Sequence, residues 1–158
     1  MSGFRVLGTN HTSFTVSNID RTLVFFRDVL GFPATAKLVR DPEMASAVTG
    51  VAGAGITVVF VDAPGHRLEF VEYDNPPDRT KVAGRPCDTG FTHIALDVDD
   101  IEAAMAAAAA HGFRANGAIQ TSDKGPNAGR RIAYTTNGDG LTIEFIQPQA
   151  PGASGRHG

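Results

Sequence analysis

Two histidines and two glutamates recur in this chain at matching places, and together they carry the chemistry of a metal site. His11 and His93 each open a run of alternating residues, while Glu69 and Glu144 each sit inside a short apolar triplet, Leu68-Glu69-Phe70 and Ile143-Glu144-Phe145. A lone histidine in a strand is usually a satisfied structural residue, but two at equivalent points of a repeat need a shared explanation. Each glutamate points away from its apolar neighbours, and burying its charge unpaired would cost several kcal/mol, so it needs a cation or a strong donor. Two imidazoles and two carboxylates suit one divalent transition metal (Mn, Fe, Co, Ni or Zn) and are too rich in nitrogen for calcium or magnesium. The competing reading pairs Glu69 and Glu144 with Arg67 or Arg131 at a sheet edge.

The elements that must position these residues form an internal repeat. The segment from His11 through Ile19 and Leu23 to Leu30-Gly31-Phe32 is similar to the segment from His93 through Ile101 and Met105 to His111-Gly112-Phe113. Each copy opens with period-2 alternation: Thr12, Phe14 and Val16 share one strand face, and Thr92, Ile94, Leu96 and Val98 share another, with the histidines on the opposite faces. Helix starts follow at Ser17-x-x-Asp20 and Asp99-x-x-Glu102, read as capping boxes. The period then becomes helical, with Ile19, Leu23, Phe26 and Leu30 in one stripe and Ile101, Met105 and Ala108 in the other. Gly31 and Gly112 are placed as left-handed caps. Two hairpins close the copies, turning at Ala63-Pro64-Gly65-His66 and at Asn137-Gly138-Asp139-Gly140. The expected organisation is a first module over 6–73, a connecting loop over 74–89, a second module over 90–147 and a disordered tail over 148–158.

Composition narrows the partners. The 158 residues, 42% of them hydrophobic, suffice for a real core, and a formal net charge of −3 offers no basic field for nucleic acid or an anionic membrane. Cys87 is the single cysteine, so no internal disulfide forms and a reduced cytoplasmic setting is expected. No apolar run suits a signal peptide or a membrane span, and the alanine block from Ala103 to Ala110 reads as helix.

The duplicated β-α-β-β-β plan, the opening histidine of each half and the closing Leu/Ile-Glu-Phe resemble the vicinal oxygen chelate superfamily over nearly all of residues 6–147. That superfamily includes glyoxalase I, methylmalonyl-CoA epimerase, extradiol dioxygenases, fosfomycin resistance enzymes and bleomycin resistance proteins. The resemblance implies an α+β fold of two β-α-β-β-β modules forming a curved mixed sheet with helices on the outer face. It also implies metal ligation by His11, Glu69, His93 and Glu144. The implied substrate is a small molecule whose adjacent oxygens fill two open metal positions, so that an enolate is stabilised and a carboxylate moves the proton. Glu144 is the first candidate for ligand and base together, with Glu69 as its opposite number.

The short gap between the halves is more like the epimerase pattern, which favours an epimerase or isomerase resembling methylmalonyl-CoA epimerase. A glyoxalase I-like lyase is the alternative. One departure from the epimerase pattern is that Val51 to Val58 carries no acidic base, and Glu43 is the nearest acid before it. An extradiol dioxygenase uses two histidines and one glutamate, so a fourth ligand here would block a substrate position. A metal-free small-molecule binding or resistance protein is the remaining reading. Exposed sheet edges suggest a homodimer.

Lys124, Arg130 and Arg131 cluster with small residues where an anion could dock, but a solvated loop is the preferred reading. His66, His111 and His157 read as incidental, and Cys87 has no activating neighbour at motif spacing. Pocket specificity is assigned to the loops 38–55 and 74–89.

Overall fold

The computed structural model describes residues 3–149, so the expected tail and His157 fall outside the described residues from position 150 onward. The chain divides into two compact units between Thr80 and Lys81, inside the segment read as a connecting loop. Each unit has its own mixed sheet.

In the first unit, strand β1 (Thr12–Thr15) leads into helix α1 (Ile19–Leu23), followed by β2 (Leu38–Val39), helix α2 (Pro42–Thr49), β3 (Gly55–Ala63) and β4 (His66–Asn75). The sheet order is β1-β4-β3-β2, with β1 parallel to β4 and the other pairs antiparallel. Parity along the strands sorts the two faces. Val59, Val61, Leu68 and Phe70 are fully buried on the face covered by α1, where Ile19 and Phe26 are also fully buried. Phe26 and Phe70 meet with ring centroids 4.7 Å apart. The opposite face carries Glu69 and His11.

The stripe through Ile19, Leu23 and Phe26 is present, but the helix does not stay α-helical. From Val24 to Val29 it widens to a π-helix, with the Leu30 amide donating to the Phe25 carbonyl at 2.9 Å. The wider turn lets the adjacent Phe25 and Phe26 both face inward, at 1% and 0% exposure. Gly31 then adopts φ 73° and the Phe32 amide donates to the Phe26 carbonyl, ending the helix as expected.

The second unit consists of β5 (Ile94–Asp97), α3 (Ile101–Ala110), β6 (Arg114–Ala115), β7 (Gln120–Thr121), β8 (Arg131–Thr136) and β9 (Thr142–Gln147). Its sheet runs β5-β9-β8-β6, with β7 also on β8, and β5 again lies parallel to the closing strand. Ile101, Ala108, Ile143 and Phe145 are fully buried between helix and sheet.

Three expectations need correction. The caps lie one residue later than read: Asn18 accepts from the Arg21 amide and Asp100 from the Ala103 amide. Burial decides this register, because capping at 18 and 100 makes Ile19 and Ile101 the first helical residues and seals both against the sheet. The segment 38–55 is not a plain loop, since Asp41 caps α2, Pro42 opens it and Gly50 closes it at φ 72°. The connecting segment begins later than residue 74, because β4 continues to Asn75.

Candidate metal and substrate site

The two histidine–glutamate pairs form by the same register in both units. Ser13 lies opposite Glu69 across β1 and β4, and Ala95 lies opposite Glu144 across β5 and β9. Each histidine precedes that paired residue by two, so its ring comes up beside the carboxylate on the same face. His11 Nε2 is 3.3 Å from Glu69 Oε2, and His93 Nε2 is 3.0 Å from Glu144 Oε2. Exposure matches as well: 32% and 13% for the first pair's side chains, 36% and 14% for the second.

The arginine alternative is excluded by geometry. Arg67 donates to Asp62 at 2.7 Å, and Arg131 is taken up by Glu102 and Gln147. Arg130 lies 3.9 Å from Asp97, so two of the three cations in the 124–131 cluster already face acids. His66 and His111 make hydrogen bonds away from the pairs, to Thr12 Oγ1 on β1 and to the Ala107 carbonyl one helical turn back.

The donor chemistry suits a cation. Nδ1 of His11 lies 2.7 Å from Asn10 Oδ1, which only accepts, so Nδ1 carries the proton. A neutral ring then aims the Nε2 lone pair at the Glu69 carboxylate. Two electron-rich atoms at that distance repel unless the ring is doubly protonated or a cation joins them. A ligating histidine characteristically donates its other nitrogen to a carbonyl in this way. Metal–donor bonds of about 2.0–2.2 Å place neighbouring donors on the order of 3.0–3.4 Å apart, a range that includes both pairs. Each unit supplies one nitrogen and one carboxylate, and among the described residues no group of three or more His, Cys, Asp or Glu side chains is gathered.

The rings beside the pairs differ. Phe60, in register with Glu69, meets His11 edge-on at 5.7 Å, whereas Tyr134, in register with Glu144, meets His93 edge-on at 5.1 Å. Burial pushes the Tyr134 phenol above its ordinary value, and the Glu144 carboxylate beside it adds to the rise. Tyr134 was not singled out by the sequence, although its place opposite Glu144 in the closing hairpin was the available signal.

In the first unit the open sheet face forms a pocket of about 370 Å³, with His11 and Glu69 in its lining and α2 as its far wall. Arg40, Met44 and Val48 join the lining from that side, none of them singled out by the sequence. The second unit has a pocket of about 420 Å³ whose lining includes Gln120, Ile132 and Tyr134.

A second pair of equivalent contacts was also missed. Glu72 Oε2 accepts from the Ile19 amide at 2.7 Å, and Gln147 Oε1 accepts from the Ile101 amide at 3.2 Å. Each acceptor lies three residues beyond its unit's site glutamate, so the closing strand both presents the carboxylate and ties down the helix start.

Comparison with known proteins gives this architecture a family. The profile of the Glyoxalase/Bleomycin resistance protein/Dioxygenase superfamily matches residues 8–145, and the chain belongs to that superfamily. A 2-epi-5-epi-valiolone epimerase from an Actinomyces species is 31% identical over 146 residues, covering 89% of this chain and 79% of that protein. A lactoylglutathione lyase from Haemophilus influenzae is 31% identical over 139 residues, covering 87% of this chain and 90% of that protein. In structure the chain is similar to a glyoxalase family protein from Bacillus cereus, with a TM-score of 0.79 at 20% identity, covering 94% of this chain and 99% of that one. Among the described residues, no helix is long and apolar enough to cross a membrane.

Proposed function

We propose that this chain is a metal-dependent epimerase or isomerase in which His11, Glu69, His93 and Glu144 hold one divalent transition metal and a glutamate transfers a substrate proton. The observation that carries the reading is the repeated pair: each unit builds the same His–Glu contact from the same strand register, with the ring half-exposed and the carboxylate mostly covered. When bound, a divalent ion supplies Lewis acidity, which lowers the cost of negative charge on a substrate oxygen.

The chain's own groups do the rest. Asn10 holds the His11 tautomer, and the rings of Phe60 and Tyr134, packed edge-on, shield one side of each imidazole from water. A glutamate takes the proton from the carbon next to the substrate carbonyl. Returning it to the other face of the same carbon gives an epimer, and delivering it to the neighbouring carbon gives a positional isomer. Glu144 is assigned as ligand and base, with Glu69 opposite. The substrate is a small molecule with adjacent oxygens, and the working assembly is a homodimer in the cytoplasm.

The similarity to a protein named as an epimerase supports proton return to the same carbon. The similarity to a lactoylglutathione lyase favours a second reading, transfer to the adjacent carbon of a glyoxalase-type substrate. Elemental analysis of the purified protein beside His11→Ala and His93→Ala tests the common step, with about one metal per chain expected and its loss expected in both variants. Deuterium uptake from solvent into 2-epi-5-epi-valiolone, against formation of lactoylglutathione, separates the two chemistries. Glu144→Gln is expected to lower either rate by about 10²–10⁴-fold. No metal in the wild type and none taken up on reconstitution would refute the assignment in favour of a metal-free binding protein.

A further inference from the structure

Arg40 occupies an unusual position in the first unit. It lies between β2 and α2, with its backbone amide donating to the Ile56 carbonyl at 3.0 Å, so its Cα is fixed against β3. The side chain is half-buried and lines the same pocket as His11 and Glu69. Among the described residues no acid lies within ion-pair distance of its guanidinium, although the exposed Arg27, Arg67 and Arg85 and the half-buried Arg131 each have one. The adjacent carboxylate is already committed, since Asp41 accepts from the Met44 amide at 2.8 Å as the cap of α2. Glu69, the acid in the pocket lining, faces His11.

A partly desolvated guanidinium with a free fork of donors suits an anion, and a carboxylate matches that fork bidentately. The surrounding wall is largely apolar, with Met44, Val48, Ile56 and Val71 in the lining. Neutral chain atoms of a ligand would therefore meet hydrocarbon, and its charge would meet Arg40. A doubly charged phosphate would call for more than one cation, whereas this pocket has a single arginine and no lysine in its lining. The volume of about 370 Å³ is at the small end of ligand sites, which run from about 300 to 1,000 Å³, and suits a short-chain acid.

We infer that Arg40 is the specificity residue for a carboxylate carried by the substrate at the end remote from its enolisable carbon, so that the substrate class is a small organic acid. This rests on the proposed function only in placing the reacting end beside Glu69. The test uses two hydroxamates of equal length that share a chelating end: succinic monohydroxamate, which ends in a carboxylate, and butyrohydroxamate, which ends in a methyl group. Their affinities are measured by calorimetry on the full chain loaded with manganese, and again after stripping with a chelator, for wild type, Arg40→Gln and Arg40→Lys.

The wild type should prefer the acid by roughly ten- to a hundredfold. Arg40→Gln should abolish that preference while leaving butyrohydroxamate affinity unchanged, and Arg40→Lys should keep part of it. Equal affinities in the wild type, a preference that survives in Arg40→Gln, or no binding of either compound in either metal state would overturn the inference. Failure to take up manganese would sink the metal assignment instead. The stripped protein then decides the question for Arg40: a preference that depends on it supports the subsite, and the lack of one overturns it.

Discussion

The first unit fills the space between helix and sheet with aromatic rings, whereas the second fills the equivalent space with a methyl group. Phe26 and Ala108 occupy the same place in the repeat and are both fully buried. Phe26 lies over Phe70, and the counterpart of Phe70 is Phe145, also fully buried. One strand register thus supports two different cores. The contrast teaches that the repeat is kept where it positions the His–Glu pair and its helix start, and is free to drift where any well-packed volume will serve.

The largest effect should come from exchanging these volumes. Phe26→Ala should cost about 3–5 kcal/mol in urea unfolding, since it empties a ring-sized space that the rigid sheet cannot close. Ala108→Phe should cost about 1–3 kcal/mol by overpacking. Near-neutral results for both would mean that the two cores are interchangeable and the contrast carries no energy.

A smaller difference is expected at the helix starts. Glu72 offers a carboxylate to the Ile19 amide and Gln147 a neutral amide oxygen to the Ile101 amide. Truncation to alanine should cost about 1.5–3 kcal/mol for Glu72 and about 0.5–1.5 kcal/mol for Gln147, measured the same way. The reverse order would show that Arg131, which also donates to Gln147, holds the second helix start more firmly than charge holds the first.

The smallest effect concerns the rings beside the site. Tyr134→Phe gives the second pair the kind of ring the first already has. Burial and the Glu144 carboxylate raise the Tyr134 phenol, so the fold favours its protonated form. That contribution is complete below the unfolded value near pH 10 and is lost as pH rises through the higher folded value. The wild type should therefore lose more stability than the variant in that alkaline window, and the variant should show the phenolate absorbance change of Tyr73 alone, without the share that Tyr134 adds. Identical alkaline profiles would remove Tyr134 from the electrostatics of the second pair.

The two His–Glu pairs were legible because the information is local and repeated. Strand alternation assigned His11 and Glu69 to their faces, and the second copy repeated the statement with His93 and Glu144. Helix α2 was less legible, although Asp41, Pro42 and Gly50 marked its ends. Its apolar residues Met44, Ala45 and Val48 span barely two turns, and of them only Ala45 is buried, so the stripe was too short to announce a helix. The caps slipped by one because Ser17 and Asn18, like Asp99 and Asp100, are equally capable acceptors.

By itself the sequence determined the duplicated strand and helix plan, the left-handed glycines at 31 and 112, and which histidines and glutamates share a strand face. All of these follow from periodicity and backbone preference within a few residues. Only the tertiary structure decided that Glu102 claims Arg131, that Phe60 and Tyr134 meet the two imidazoles, and that Arg40 reaches the pocket with no acid among the described residues at ion-pair distance. Those outcomes depend on pairing between distant strands, because the partner a charged side chain meets is fixed by long-range register and not by its neighbours along the chain.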